Sequence, residues 1–341
     1  MSVPTVRHAL VIPIFLALGA LQGPPSWTAQ TSGVTARLRG VSAVNERVVW
    51  ASGSQGTVIR SDDGGASWRR LTVPDADTLD FRDVDAVDAQ TAYILSIGNG
   101  DASRIYKTSD AGATWTLQFR NEDPKAFFDA MTFRDATHGF AFSDSIDGKF
   151  VILSTADGGA HWNRIPDKAL PAALPGEGAY AASGSNIAIR GRHVWIGTTA
   201  SRVLWSADDG KSWNVSQTPL PTGPSAGIFS IAFSDDAHGI VVGGDYKLES
   251  EAVDNAAVTS DGGRTWTVIR GLSGFRSAVA YVPGRKQMVL AVGPSGADLS
   301  TDGGKTWKPI PGAGFHALSI TPKSPVAWGV GEKGAIAKLP F

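Results

Sequence analysis

An eight-residue figure, Ser/Thr-x-Asp-x-Gly-x-x-Trp, returns six times in 341 residues, and no other feature constrains the fold as tightly. The copies are Ser61–Trp68, Thr108–Trp115, Thr155–Trp162, Ser206–Trp213, Thr259–Trp266 and Ser300–Trp307. A Ser or Thr precedes the Trp in five of them, and His161 stands there in the other. The third-position acids are Asp63, Asp110, Asp157, Asp208, Asp261 and Asp302, spaced by 47, 47, 51, 53 and 41 residues. Periods of this size belong to propellers and solenoids, in which each repeat is one supersecondary unit.

Turn chemistry explains the residue types. The Asp accepts from backbone N–H groups just downstream, and the Gly allows positive φ where the chain reverses. The Trp buries a large ring while its N–H can still find a partner. Such a turn joins two antiparallel strands, Thr57–Ser61 and Trp68–Val73 in the first copy. The figure resembles the Asp-box, or bacterial neuraminidase repeat, found in sialidases, xyloglucanases and non-enzymatic propellers. That resemblance implies a scaffold role for the six acids. Their spacing is not that of a calcium-binding EF-hand loop.

Each repeat reads as four strands, A to D. In the first, Leu38–Ala43 is the inner strand A, Arg47–Ala51 is B, Thr57–Ser61 is C and Trp68–Val73 is D. Strand A recurs at Phe81–Val87, Phe127–Phe133, Ala179–Gly184, Ile228–Phe233, Phe275–Val282 and Phe315–Ile320. Strand B recurs around Tyr93, Phe140, Trp195, Val241, Val289 and Trp328. Short alternating strands at this spacing predict an all-β, seven-bladed β-propeller of four-stranded antiparallel blades. After the last box the chain supplies an A, a B and a C strand (Ala335–Leu339) but no D. Near the start, Trp27–Thr31 looks like a D strand without a box, so the N-terminal strand is expected to close the last blade. A six-bladed ring with ragged ends is the alternative.

The chain divides into an expected secretory signal at 1–23 and a single propeller at 24–341. Arg7 and the apolar run Ala9–Ala20 form the signal, with small residues such as Gly19 and Ala20 for cleavage. The run is shorter than the roughly 20 apolar residues of a membrane span, so no transmembrane anchor is expected and the destination is the periplasm or beyond. There is no cysteine for disulfides or for a lipid. A net charge of −1 without a basic block argues against nucleic acid. A monomer is expected. No metal-ligand spacing, Gly-x-Gly-x-x-Gly entry to a helix or Gly-x-Ser-x-Gly elbow occurs, so no metal or cofactor is expected.

In such a blade the C–D turns and A–B turns share one face, called the bottom, and the A-strand starts and B–C loops share the top. His138 and His238, both at B-strand starts, fall on the bottom with the boxes and read as scaffold. Aligned A-strand starts place Arg39, Arg82, Phe128, Tyr180, Phe229, Arg276 and His316 around the top of the channel. Three arginines there would suit a carboxylate, sulfate or phosphate. Asp129, Glu177, Asp144, Asp147 and Asp245 lie nearby in sequence and would either neutralise the arginines or complete a site. The expected ligand-binding set is Arg39, Arg82, Arg276, Tyr180, Glu177 and Asp245.

The boxes, the leader and the N-terminal Trp strand also resemble the photosystem II stability and assembly factor family. Segments such as Gly176–Gly184, Gly227–Ser230, Gly243–Tyr246 and Ser273–Ala278 are similar to its branch outside photosynthetic organisms. The resemblance implies a binding or assembly module for a protein partner, with an arginine patch for which Arg39, Arg82 and Arg276 are the candidates. The other function class is a glycoside hydrolase acting on an anionic glycan, with Glu177, Tyr180 and Asp129 as its catalytic candidates. It lacks the sialidase Phe-Arg-Ile-Pro signature. The expected partner is thus a protein, or an anionic glycan or peptide, at the channel mouth.

Overall fold

A computed structural model describes residues 25–341, which form seven four-stranded antiparallel sheets; the leader expected at 1–23 lies outside the described residues. Blade one is Leu38–Ala43, Val49–Gly53, Thr57–Ser61 and Arg69–Leu71, and the next five follow the same A-B-C-D order. The A strands of neighbouring blades pack together around the axis. Strands B and C of blade one are buried at every position, because each blade is covered on both faces by its neighbours. Their sequences accordingly do not alternate apolar with polar, and even Ser52 and Arg60 are buried. Seven apolar clusters each fill one interface between adjacent blades.

The boxes make the same turn six times. In the first, Ser61 Oγ donates to Asp63 Oδ1 at 2.9 Å and accepts from Gly65 N at 2.8 Å. Asp63 then accepts from Ser67 N at 2.9 Å and Ser67 Oγ at 2.6 Å. His161 supplies the second contact in its copy, with Nδ1 2.7 Å from Asp157 Oδ2. Each box is also tied to the A–B turn of its own blade, as in Gly64 N to Arg47 O at 3.0 Å and Gly158 N to Thr137 O at 2.8 Å. Boxes and A–B turns therefore share one end of the molecule. His138 and His238 lie there too, hydrogen-bonded to Asp135 and Asp235.

The box glycine has a second reason to be glycine. Its Cα sits against the B-strand side chain of the preceding blade, so a Cβ on Gly65 would lie 2.5 Å from Trp328, and one on Gly210 2.7 Å from Phe140. Both residues also have positive φ. The box Trp packs on the same neighbour: Trp115 meets Trp50 edge-on at 6.1 Å, and Trp68 meets Trp328 at 5.8 Å. The repeat is therefore a turn and an inter-blade rivet in one motif.

The ring closes as the missing D strand requires. Thr28–Gln30 pairs with Ile336–Pro340 in the register Thr28 with Lys338 and Gln30 with Ile336, completing blade seven. Trp27 lies against Phe315, with ring centroids 4.6 Å apart. One inner strand differs from expectation. Blade four begins at Ile187–Arg190, not at Ala179–Gly184. A tight Ala182 N to Tyr180 O bond (2.7 Å) and positive φ at Gly184 break the extended run, leaving residues 179–184 as an irregular segment at the channel mouth.

Candidate functional site

Four inner strands carry a β-bulge near their start. The register breaks between Leu38 and Gly40, Phe81 and Asp83, Phe128 and Ala130, and Ile228 and Ser230. The residues left over are Arg39, Arg82, Asp129 and Phe229. A bulge releases one residue from the ladder and re-aims its side chain: Arg39, Arg82 and Phe229 reach the mouth, whereas Asp129 is buried. Alignment from sequence put Phe128 at this position in blade three. The bulge moves the equivalence by one residue, to Asp129, and Phe128 packs edge-on against Phe119 at 5.1 Å.

A cavity of about 460 Å³ opens here. Arg37, Arg39, Arg82 and His316 line one part of it, and Tyr180, Phe229, Tyr246 and Phe275 another. The aromatic part is the eighth apolar cluster, which belongs to no inter-blade interface. Tyr180 stacks on Phe229 at 3.9 Å and 5°, and Phe275 meets Phe229 edge-on at 4.6 Å.

The three arginines of the cavity are not equivalent. Arg37 Nε lies 2.8 Å from Glu332, which also holds His316 Nε2 at 2.7 Å. Arg82 is paired with Asp80 at 2.9 Å and donates to Ala181 O across the mouth at 2.9 Å. The Arg39 guanidinium has no ion-pair partner among the described residues, and its buried Nε makes no hydrogen bond. Burial first, then the nearby charges of Arg82 and Arg37, push the Arg39 pKa down to about 10. Burial and the charge of Arg39 likewise bring His316 down to about 4, so its imidazole is neutral at pH 7.

The expected site is only partly assembled. Arg39, Arg82 and Tyr180 share the cavity, but Arg276, Glu177, Asp245 and Asp129 do not line it. Arg276 is excluded from solvent and paired with Asp298, with Nε 2.7 Å from Oδ2 and further bonds to Ser273, Ser295 and Phe275 O. Glu177 is buried between Arg202, Thr198 Oγ1 (2.7 Å) and Leu174 N (2.9 Å), where it clamps the irregular segment 166–178 onto blade four. Asp245 caps the following loop by accepting from Lys247 N at 2.9 Å. Asp129 is buried with Oδ2 unpartnered, and burial followed by the charge of Asp144 raises its pKa well above the usual carboxylate range.

Sequence reasoning missed Arg37, Phe275 and Glu332 in the wall. It also missed Asp298 as the partner of Arg276. An acid in the apolar run Gly296–Ser300, at a position where every strand C is buried, was the available signal for that pair.

Residues 299–309 match the BNR/Asp-box repeat family, and the other five copies share its figure. The chain is a seven-bladed propeller that carries Asp-box repeats. It resembles the photosystem II stability and assembly factors. Over 138 residues this propeller is 30% identical to the photosystem II assembly lipoprotein Ycf48 of a Synechococcus species, a match covering 40% of the chain and 34% of that relative. The aligned part thus spans about a third of the curated relative's length. Among solved structures, the propeller is similar to a YCF48 bound to a D1 peptide, with a TM-score of 0.67 and 17% identity over 92% of this chain and 97% of that one. YCF48 from Cyanidioschyzon merolae gives 0.67 and 15% over 92% and 99%. A xyloglucanase of family GH74 from Xanthomonas campestris gives 0.66 and 19%, with 92% of this propeller covering 53% of the enzyme. These structural likenesses concern the fold alone.

Proposed function

We propose that the propeller is an exported binding or assembly module that holds an anionic group of a protein partner at the channel mouth. The observation that carries this reading is Arg39, a largely buried guanidinium beside two further arginines and without a counter-ion among the described residues. A buried charge is costly until paired, and an incoming carboxylate or phosphate can pair it bidentately. Arg82, already neutralised by Asp80, keeps two walls of the mouth in place. The Ycf48 likeness and the D1 peptide seen with one YCF48 support a protein ligand over a free ion.

Hydrolysis of an anionic glycan is the weaker reading. It needs two carboxyl groups about 5–10 Å apart and open to substrate. Glu177 and Asp129 are buried and away from the cavity wall, and Glu332 is occupied by Arg37 and His316. Export and membership of the branch outside photosynthesis belong to the same proposal. They rest on residues 1–23 and on the quoted segments. No helix among the described residues is long and apolar enough to cross a membrane.

The test is a titration of fluorescent acidic peptides against the wild type and Arg39→Ala. Loss of about tenfold or more in affinity, together with steep salt dependence, is expected. Equal affinity in both proteins would overturn the site. Mass spectrometry of the protein from its native host tests export: a mature N-terminus between about residues 19 and 24 is expected, and an intact Met1 rejects it.

A further inference from the structure

The aromatic part of the mouth continues outward into one loop. Among the described residues, the large apolar side chains left exposed are Leu117, Leu174, Tyr246, Leu248 and Val253, and three of these five lie in the loop after strand B of blade five. Tyr246 also lines the cavity, edge-on to both Tyr180 and Phe229 at 6.1 Å. The loop is pinned at several points. Tyr246 N donates to Ser225 O at 3.1 Å and Leu248 N to Asp245 O at 3.0 Å. Glu249 O accepts from Phe275 N at 3.0 Å and Ser295 Oγ at 2.9 Å. The backbone that carries Tyr246 and Leu248 is therefore held in place before any partner arrives, which lowers the ordering cost of binding.

We infer, resting on the anion-site reading above, that the mouth takes an extended peptide in which an acidic side chain neighbours apolar ones. The acid meets Arg39, and the apolar residues meet Tyr246 and Leu248. Charge complementarity places the two parts of the occupant: the arginines gather at one part of the cavity, and the rings of Phe229, Tyr180 and Tyr246 lead outward at another, with Glu249 beside them. A peptide fits this wall better than a glycan. A sugar needs open aromatic faces and many unspent hydrogen-bonding groups. Here Tyr180 and Phe229 spend one face on each other, Tyr180 OH donates to Ala226 O, and Ser277 Oγ donates to His316 O.

Two capped hexapeptides of equal charge test the inference, one containing Asp-Leu-Leu and the other Asp-Ser-Ser, with a glucuronic acid trisaccharide as the glycan probe. The leucine peptide should bind about tenfold or more tightly than the serine peptide. Tyr246→Ser/Leu248→Ser should shrink that gap below about threefold, and Arg39→Ala should weaken both peptides. Leu248→Ser alone, at an exposed position, should give an intermediate gap and guards against misfolding of the double variant. Equal binding of both peptides, still dependent on Arg39, overturns this inference and leaves the anion site standing. Binding of neither peptide, or binding indifferent to Arg39, overturns both. Tighter binding of the trisaccharide than of either peptide overturns the peptide in favour of a glycan.

Discussion

Arg276 and Asp298 form an ion pair sealed from solvent on both sides, with Nε 2.7 Å from Oδ2. Removing one member strands the other charge in the interior, at a cost of roughly 3–5 kcal/mol. Arg276→Ala should therefore lower the midpoint of urea unfolding strongly. Arg39→Ala should leave it unchanged or raise it, since Arg39 has no carboxylate to strand and is repelled by Arg82 and Arg37. Similar losses in both variants would mean that Arg39 is a structural arginine as well.

The box hydroxyl matters as an acceptor. Ser206 is buried, and its Oγ takes the buried Gly210 N–H at 2.9 Å. Ser206→Ala leaves that donor unsatisfied, worth about 1–3 kcal/mol. Asp157→Ala should also lower the melting temperature, in the same direction, without changing peptide binding at the far end of the molecule. An unchanged melting temperature with lost binding would reverse the assignment of the boxes to scaffold.

Ring closure predicts a sharp boundary for truncation. A chain starting at residue 25 keeps Thr28–Gln30 paired with Ile336–Pro340 and should melt like the full chain. A chain starting at Gly33 exposes the edge of blade seven and should melt clearly lower. Identical melting of the two would show that the closing strand contributes nothing.

Stability should depend on pH in opposite directions through two sets of acids. Burial raises Asp85 and Asp144 from 3.8 to about 6, so their contribution is present below about 3.8 and is lost as pH rises through about 6. Hydroxyl donors, from Ser67, Thr114 and Thr306, hold Asp63, Asp110 and Asp302 down at about 2, so theirs is present above about 3.8 and is lost as pH falls through about 2. His316, lowered from 6.5 to about 4, loses its contribution as pH falls across that interval. Asp144→Asn should accordingly raise the melting temperature at pH 7.5 and leave it unchanged at pH 3. A gain of the same size at both pH values would remove ionisation as the cause.

The repeat and its consequences were determined locally. A Ser/Thr two residues before an Asp, a Gly two after it and a Trp three beyond that specify one hydrogen-bonded turn whatever the rest of the chain does. Six such turns at blade-sized spacing, with an orphan Trp27 at one end and a missing outer strand at the other, suffice for seven blades and their closure. The second duty of the box glycine, seating Gly65 on Trp328 of the neighbouring blade, is visible only in three dimensions, although the turn already demanded glycine there.

The mouth was decided by tertiary structure. Aligning A-strand starts treats Arg39, Arg82 and Arg276 as equals, because each is an arginine at a strand start. Their fates diverge through their partners: Asp298, on another strand, encloses Arg276, Asp80, two residues away, neutralises Arg82, and no carboxylate among the described residues pairs with Arg39. Glu177 was drawn into an ion pair with Arg202 by the same kind of contact. Side-chain direction at the channel depends on single-residue bulges, and charge pairing depends on which strands the ring brings side by side. Neither leaves a periodic trace in the sequence, so the scaffold was legible there and the chemistry of the mouth was not.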